Sequence, residues 1–189
     1  MELYNINESC NKFKMHGDVW IKQGNNLSRD QILNDPDRKL TNLIVDVCSD
    51  LIAEWAITGN TGFVRSSVSD IPGILVLAVG TGALGWDLQN PPVENAGETQ
   101  LESELTRKQF STVNYVDGVG APSVSRTNVV DFLTTFLEAE AVGPIVEMGL
   151  FGGNGALSLG SGTLINKKNF AVINKSATSS LSILWRLTF

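Results

Sequence analysis

The hydrophobic pattern is clearest at the end of the chain, where large apolar residues alternate with mostly polar ones over residues 180–189. A period of two residues is typical of a β-strand that turns one face toward a core. The alternating apolar positions are Leu181, Ile183, Trp185, Leu187 and Phe189. A second core strand is predicted at residues 74–79, which form the unbroken apolar run ILVLAV.

Extended segments account for most of the remaining chain. They are predicted at residues 63–68, 107–116, 129–140, 145–151 and 163–174, with loops rich in Gly, Pro and Asn between them. A single helical turn is predicted at 101–105. Strands at this spacing, without helices between them, indicate a mainly β fold. We expect an antiparallel jelly-roll-like sandwich rather than a parallel α/β sheet.

One amphipathic helix is predicted before the strands. Asp35 is a suitable N-cap, and Pro36 suits the first helical position. Apolar residues then recur at three- and four-residue spacings, as they do on one face of a helix. These residues are Leu40, Leu43, Ile44, Val47, Leu51 and Trp55. We expect this helix to pack its apolar face on a sheet of the same chain.

Residues 1–34 are predicted to form an extended N-terminal arm, and residues 35–189 the folded domain of helix and β-sandwich. The arm region is polar, with isolated apolar residues and little periodicity. Such a segment cannot bury a core of its own. Because Phe13 and Trp20 are costly to leave in water, we expect them, with Leu27, to act as anchors in the surface of another subunit.

The composition argues against several classes of function. The 189 residues carry a formal net charge of −6, without the basic stripe that a dedicated nucleic-acid binder usually has. The longest apolar run is far shorter than a membrane span, and the N-terminus lacks the pattern of a signal peptide. We therefore expect a soluble protein that binds neither nucleic acid nor a membrane.

Cysteine and histidine are too few and too far apart for a metal site. Cys10, Cys48 and His16 do not have the spacing of zinc ligands. We expect two free thiols in a reducing cytoplasm, with a disulfide as the alternative. A catalytic triad would have to use His16, the only histidine; we interpret it as an ordinary surface or interface residue.

A glycine motif raises the question of a nucleotide cofactor. Gly80, Gly82 and Gly85 match the G-x-G-x-x-G fingerprint, directly after a predicted strand. That fingerprint needs a helix beginning at its third glycine, whose N–H groups hold a pyrophosphate. Pro91 and Pro92 leave room for barely one helical turn. We therefore interpret the motif as a glycine turn and expect no cofactor.

Carboxylates are the remaining candidates for chemistry. Glu98, Glu102 and Glu104 lie close in sequence, but no second cluster with the spacing of a calcium loop accompanies them. Since no catalytic constellation is found, we expect the protein not to be an enzyme.

Glu147 lies in an apolar segment, where a carboxylate needs a cation and hydrogen bonds. We predict an internal ion pair between Arg107 and Glu147, because the guanidinium fork can hold a carboxylate with two bonds. Glu104, three residues before Arg107, is the alternative partner.

Three short motifs, in this order, resemble a known family: AVGTG at 78–82, LESELTR at 101–107 and IVEMGLF at 145–151. They are similar to the N-terminal domain of tail-collar fibre proteins of tailed bacteriophages, and to small jelly-roll-like virion proteins. Gly162-Thr-Leu164 and Lys175 match the later part of that pattern, so the resemblance covers about residues 40–189.

The resemblance implies a non-enzymatic structural protein of a virion assembled in the host cytoplasm. Because the sequence stops where a fibre protein continues into a shaft, we expect a capsid cement (decoration) protein that bridges subunits of the major capsid protein. The alternative is a tail, neck or baseplate adaptor that binds the proteins of that region. A homo-oligomer is expected, with a trimer as the guess.

The sequence also leaves two other classes of function open. One is a nucleotide-binding enzyme that uses the glycine motif. The other is a carbohydrate-binding sandwich that uses Trp86 or Trp20 as an exposed aromatic.

Overall fold

The computed structural model describes residues 16–25, 27–44 and 73–189. In chain order their elements are β1 (His16–Gln23), α1 (Arg29–Asn34), β2 (Arg38–Thr41), β3 (Leu43–Ile44), β4 (Ile74–Gly80), β5 (Glu104–Gln109), β6 (Thr112–Val116), β7 (Pro122–Ser123), β8 (Val129–Phe136), β9 (Gly143–Gly152), β10 (Thr163–Lys175) and β11 (Leu181–Thr188). The prediction of a mainly β fold is confirmed.

The strands form two antiparallel sheets. The six-stranded sheet has the order β2-β1-β11-β8-β6-β7, and the five-stranded sheet has the order β3-β10-β9-β4-β5. The segment predicted as one extended stretch at 107–116 divides between β5 in one sheet and β6 in the other. The helical turn predicted at 101–105 is wrong, because the chain enters β5 there at Glu104.

The main core lies between the two sheets. Ile183 and Trp185 of β11 pack there with Met148 and Leu150 of β9, and all four are buried. Each such side chain contributes about 1.5–3 kcal/mol by leaving water. The predicted core strands at both 74–79 and 180–189 are therefore confirmed.

Both outer faces of the sandwich are covered as well. On the five-stranded sheet, Val76, Ala78 and Phe151 form a second buried cluster with residues of the covering loops. On the six-stranded sheet, Leu184 forms a third cluster with Ile32 of α1. This explains why strand β11 is buried on both faces.

The N-terminal helix lies elsewhere than predicted. Helix α1 begins after Ser28, whose side chain and that of Gln31 form a reciprocal capping box, and Asp35 is its C-cap rather than an N-cap. The predicted helix is wrong from 35 to 44, since Leu40 pairs with Val19 in strands β2 and β1. The remainder of the predicted helix, and the strand predicted at 63–68, lie outside the described residues.

Strand β1 and helix α1 correct the prediction of an extended N-terminal arm in its described part, while residues 1–15 of that arm lie outside the described residues. Strand β1 pairs with both β11 and β2, so it is an internal strand of its own sheet. Trp20 is buried against Ile32 and Leu184, and the half-buried Leu27 packs on the same cluster. The predicted role of Trp20 and Leu27 as anchors in another subunit is therefore wrong, because their own molecule buries them. The third predicted anchor, Phe13, lies outside the described residues.

No helix among the described residues is long and apolar enough to span a membrane.

Candidate functional site

The three motifs of the sequence meet on the outer face of the five-stranded sheet, at the carboxylate of Glu147. Glu147 lies in β9 and is fully buried. Across the sheet it is the register partner of Gly80, the last residue of β4. A buried carboxylate is costly unless its oxygens find donors, so its surroundings show what the motifs do.

The Glu147 carboxylate accepts backbone N–H groups from both ends of the loop at 81–103. Oε1 accepts from Gly82 at 3.1 Å and from Ser103 at 2.9 Å, and Oε2 accepts from Glu102 at 3.0 Å. Hydrogen bonds to an ionised acceptor are stronger than neutral ones. This side chain therefore reinforces the closure of the loop, whose ends are also joined by the N–H of Thr81 donating to the carbonyl of Ser103 at 2.9 Å.

Lys167 supplies the positive charge at this site. Its ammonium is completely buried, 3.0 Å from Glu98 Oε2, 3.3 Å from Glu147 Oε2 and 4.0 Å from Glu102 Oε1. The ring of Trp86 lies 5.9 Å from the same nitrogen, within range of a cation–π contact. A buried ion pair of this kind tolerates the loss of neither partner, because the survivor is left as an uncompensated charge.

Two glycines of the motif are explained by close approach. A Cβ on Gly80 would lie 2.5 Å from Glu147 Oε1 and 2.6 Å from the carbonyl oxygen of Ser103. Gly82 has a positive φ of 72°, and a Cβ there would lie 2.5 Å from the ring of Trp86. The spacing that resembles a nucleotide fingerprint thus brings the chain against the buried carboxylate and the indole.

The helix required by the nucleotide fingerprint is not found after Gly85. Residues 81–103 form turns and irregular loop, as the prolines of this region predicted. The N–H of Gly82, within the motif, donates to Glu147. We therefore assign the motif to the closure of this loop.

The 81–103 loop is also fastened along β10. The N–H of Val172 donates to the carbonyl of Leu88 at 2.7 Å, and the side-chain amide of Asn169 donates to the carbonyl of Pro92 at 3.0 Å. These bonds hold the middle of the loop on the sheet, while Glu147 holds its ends.

A second ion pair fastens the loop at 153–162 to the same outer face. Arg107 binds Glu104 with two hydrogen bonds, Nε to Oε1 at 2.5 Å and Nη2 to Oε2 at 2.6 Å. Its Nη1 also donates to the carbonyls of Ala156 at 2.6 Å and Ser161 at 2.7 Å. Both charged side chains are almost completely buried, so this pair fixes the loop to β5.

The predicted pair of Arg107 and Glu147 is wrong, and the alternative partner Glu104 is confirmed. The strand order explains the difference, because Arg107 lies on β5 and Glu147 on β9, with β4 between them. Lys167 lies on β10, directly beside β9. Sequence reasoning predicted that Glu147 needs a cation but missed Lys167, because that residue lies in the polar run Asn166-Lys-Lys-Asn169 and nothing local marks it as buried.

The six-stranded sheet carries a charged cluster that sequence reasoning missed entirely. Asp131 is buried and accepts from Arg186 at 2.7 and 3.0 Å and from Arg29 Nε at 2.8 Å. Arg29 also donates to the carbonyl of Gly120 at 2.7 Å. This cluster ties α1 and the β6–β7 turn to the outer face of β8 and β11.

The covering loops present exposed apolar side chains to solvent. Leu84 and Val93 project from the 81–103 loop, and Leu157 and Leu159 from the loop at 153–162. Both loops lie on the same outer face. These four exposed residues therefore belong to the layer that covers that face.

Two charged groups near the β8–β9 turn have shifted pKa values. The hydrogen bond from Lys108 lowers the pKa of Glu140, and burial lowers the pKa of Lys175. Among the described residues, no group of three or more His, Cys, Asp or Glu side chains is arranged to hold a metal ion.

The fold and site define a two-sheet β domain whose motif residues fasten two surface loops. No protein-family model and no curated protein matches this chain.

Proposed function

We propose that this protein is a non-enzymatic structural component of a tailed-phage virion, with a jelly-roll-like fold, and that it acts as a capsid cement protein between neighbouring capsid subunits. The three motifs support this proposal because they resemble those of phage virion proteins. The geometry is consistent with it, since the charged motif residues Glu147, Glu104 and Arg107 are buried beneath the loops that they hold.

The two fastened loops support this proposal most strongly, because they expose apolar side chains to solvent. Exposed apolar residues that a rigid scaffold holds in place are typical of a protein-binding surface. A cement protein works through such area, because it stabilises a particle by binding subunits on both sides of a junction. We therefore assign capsid binding to the outer layer that carries Leu84, Val93, Leu157 and Leu159.

The test places charges in this layer. In the phage whose gene encodes this chain, we expect Leu157→Asp with Leu159→Asp to reduce the copies per purified virion at least about tenfold, since each charge must be desolvated at the contact. Val124→Asp is the control, because Val124 is an apolar residue even more exposed than the two leucines but lies in the β7–β8 loop. Incorporation unchanged by the double substitution would contradict the assigned surface.

The copy number of the unaltered chain separates cement from the alternative. Quantitative gel densitometry of purified virions should find hundreds of copies for a cement protein that repeats over the capsid surface. A tail, neck or baseplate adaptor should be present in far fewer copies, enough for one closed ring or a few rings. Absence of the chain from purified virions would refute both roles.

A further inference from the structure

An apolar groove opens between the two sheets at the end of the sandwich where the chain terminates. It has a volume of about 400 Å³, within the usual range for binding pockets. Its lining comprises Ile74, Tyr115, Thr127, Asn128, Val130, Phe132 and Phe189. The described residues leave this groove open.

The groove continues onto an uncovered part of the six-stranded sheet. Val113 and Tyr115 of β6 pair with Phe132 and Val130 of β8, whose side chains belong to or border the main core. Val113 is nevertheless 52% exposed and Tyr115 37% exposed. Val113 and Tyr115 therefore expose apolar surface beside residues of the core. Such exposure is unfavourable in water, which indicates that something binds there.

The start of β1 lies close to this groove. His16 pairs with Thr188, one residue before the groove residue Phe189. The odd-numbered residues Val19 and Ile21 of β1 are the ones that face the main core. The chain therefore enters the fold beside the groove.

The fifteen residues before β1 have the composition of a segment that binds such a groove. They include Leu3, Tyr4, Ile6, Phe13 and Met15 but neither Gly nor Pro. Residues 1–15 can span up to about 50 Å, ample for the segment to lie along a neighbouring molecule. The groove is lined by residues of β8 and β6, which lie beyond β11 from β1 in the sheet. Within one molecule the segment would have to bend across the end of β11, whereas a chain that continues in line with β1 leaves its own sheet.

We propose that the groove binds residues 1–15 of a second copy of this chain, with Phe13 as the main apolar anchor. Exchange of identical segments between copies is a low-cost route to a closed oligomer. The inference deepens the proposed function, on which it rests only for its role on a particle. There it would link neighbouring cement subunits to one another as well as to the capsid.

Isotope-resolved cross-linking tests the proposal on the purified full-length chain. The photoreactive analogue p-benzoylphenylalanine replaces Phe13 in ¹⁵N-labelled protein, which is mixed with an equal amount of unlabelled, unmodified protein. We expect cross-links from the labelled N-terminal peptide to unlabelled peptides that contain Tyr115 or Val130. Two results would overturn the proposal. One is that cross-links form only within single labelled molecules at high dilution, and the other is that no cross-link reaches the groove peptides.

A pair of substitutions provides the control. Tyr115→Glu places a charge at the groove and should reduce the mixed cross-link, and the association measured by sedimentation, at least about tenfold. Val124→Glu adds the same charge at an exposed position outside the groove lining and should change neither. Circular dichroism verifies that both variants are folded, and equal behaviour of the two would contradict the proposal. Because these measurements need no virion, their failure is distinguishable from failure of the proposed function.

Discussion

At the residue scale, the molecule depends on one buried carboxylate that satisfies several groups at once. Replacing it by the isosteric amide, Glu147→Gln, removes the charge opposite Lys167 and weakens the bonds to three backbone N–H groups. We expect a loss of about 3–5 kcal/mol in the free energy of unfolding, measured by urea titration. Glu102→Gln is the control, because that side chain is 44% exposed and should cost less than about 1 kcal/mol. Equal losses of unfolding free energy in the two variants would mean that the buried charge of Glu147 contributes no more than the exposed charge of Glu102.

The glycine at the end of β4 allows a second test at this scale. Gly80→Ala places a methyl group against Glu147 Oε1 and the Ser103 carbonyl oxygen. The Ser103 carbonyl belongs to the backbone, so it cannot move aside as a side chain could. We expect a destabilisation of about 1–3 kcal/mol from overpacking. Gly118→Ala is the matched control, since a Cβ there meets nothing within 4 Å. Thermal unfolding of the two variants should differ, and indistinguishable midpoints would contradict the close approach.

The need for a cation at Glu147 was predictable from the sequence, but its identity was not. A carboxylate between Val146 and Met148 in an apolar segment requires compensation wherever it lies. Lys167 becomes the partner because β10 pairs with β9, and because a register shift between Leu164 and Asn166 turns it to the outer face. Neither the strand order nor that irregularity has a local signature.

At the element scale, two ion pairs attach two different loops to one sheet. A double-mutant cycle separates them: Arg107→Met with Glu104→Gln should show a coupling of about 0.5–3 kcal/mol, because the residues share two hydrogen bonds. Arg107→Met with Glu147→Gln should be additive, since no contact joins them. Coupling only in the second cycle would reverse this assignment.

The turn between β8 and β9 contributes a pH-dependent contact. Lys108 of β5 binds Glu140 and lowers the pKa of that carboxyl in the folded state. A depressed folded pKa gives stability that is present above the unfolded pKa and is lost as pH falls through the folded value. Glu140→Gln should therefore reduce stability at neutral pH by less than about 1 kcal/mol. The difference from the unaltered protein should vanish in acid, and a difference that grows in acid would contradict the pairing.

The strands of the central core were predictable, whereas the N-terminal elements were not. Strand β11 alternates apolar and mostly polar residues, and β4 contains an unbroken apolar run. Both patterns are typical of core strands in a β fold. Leu40 and Leu43 fit a helical spacing equally well. Leu40 is in a strand because β2 pairs with β1, and Leu43 because β3 pairs with β10. The capping box at Ser28 marks the true helix, and its signal is one short motif.

At the scale of the whole molecule, both outer faces of the sandwich are covered by elements that charged clusters hold down. Asp131 and its two arginines secure α1 on one side, and Glu147 and Glu104 secure the loops on the other. The surfaces left for partners are the apolar outer side of those loops and the open groove at Phe189. Which partners bind there depends on shape and apolar area rather than on a reactive group, so short motifs do not encode them.

Amide hydrogen exchange measures whether Glu147 holds the 81–103 loop closed. In the unaltered protein, the amides of Gly82, Glu102 and Ser103 should exchange slowly, because one carboxylate accepts all three. In Glu147→Gln, under conditions where the chain stays folded, these three should exchange at least about tenfold faster by local opening. The amide of Trp185, in the core, should stay protected. Unchanged protection of the three loop amides in the variant would contradict the account.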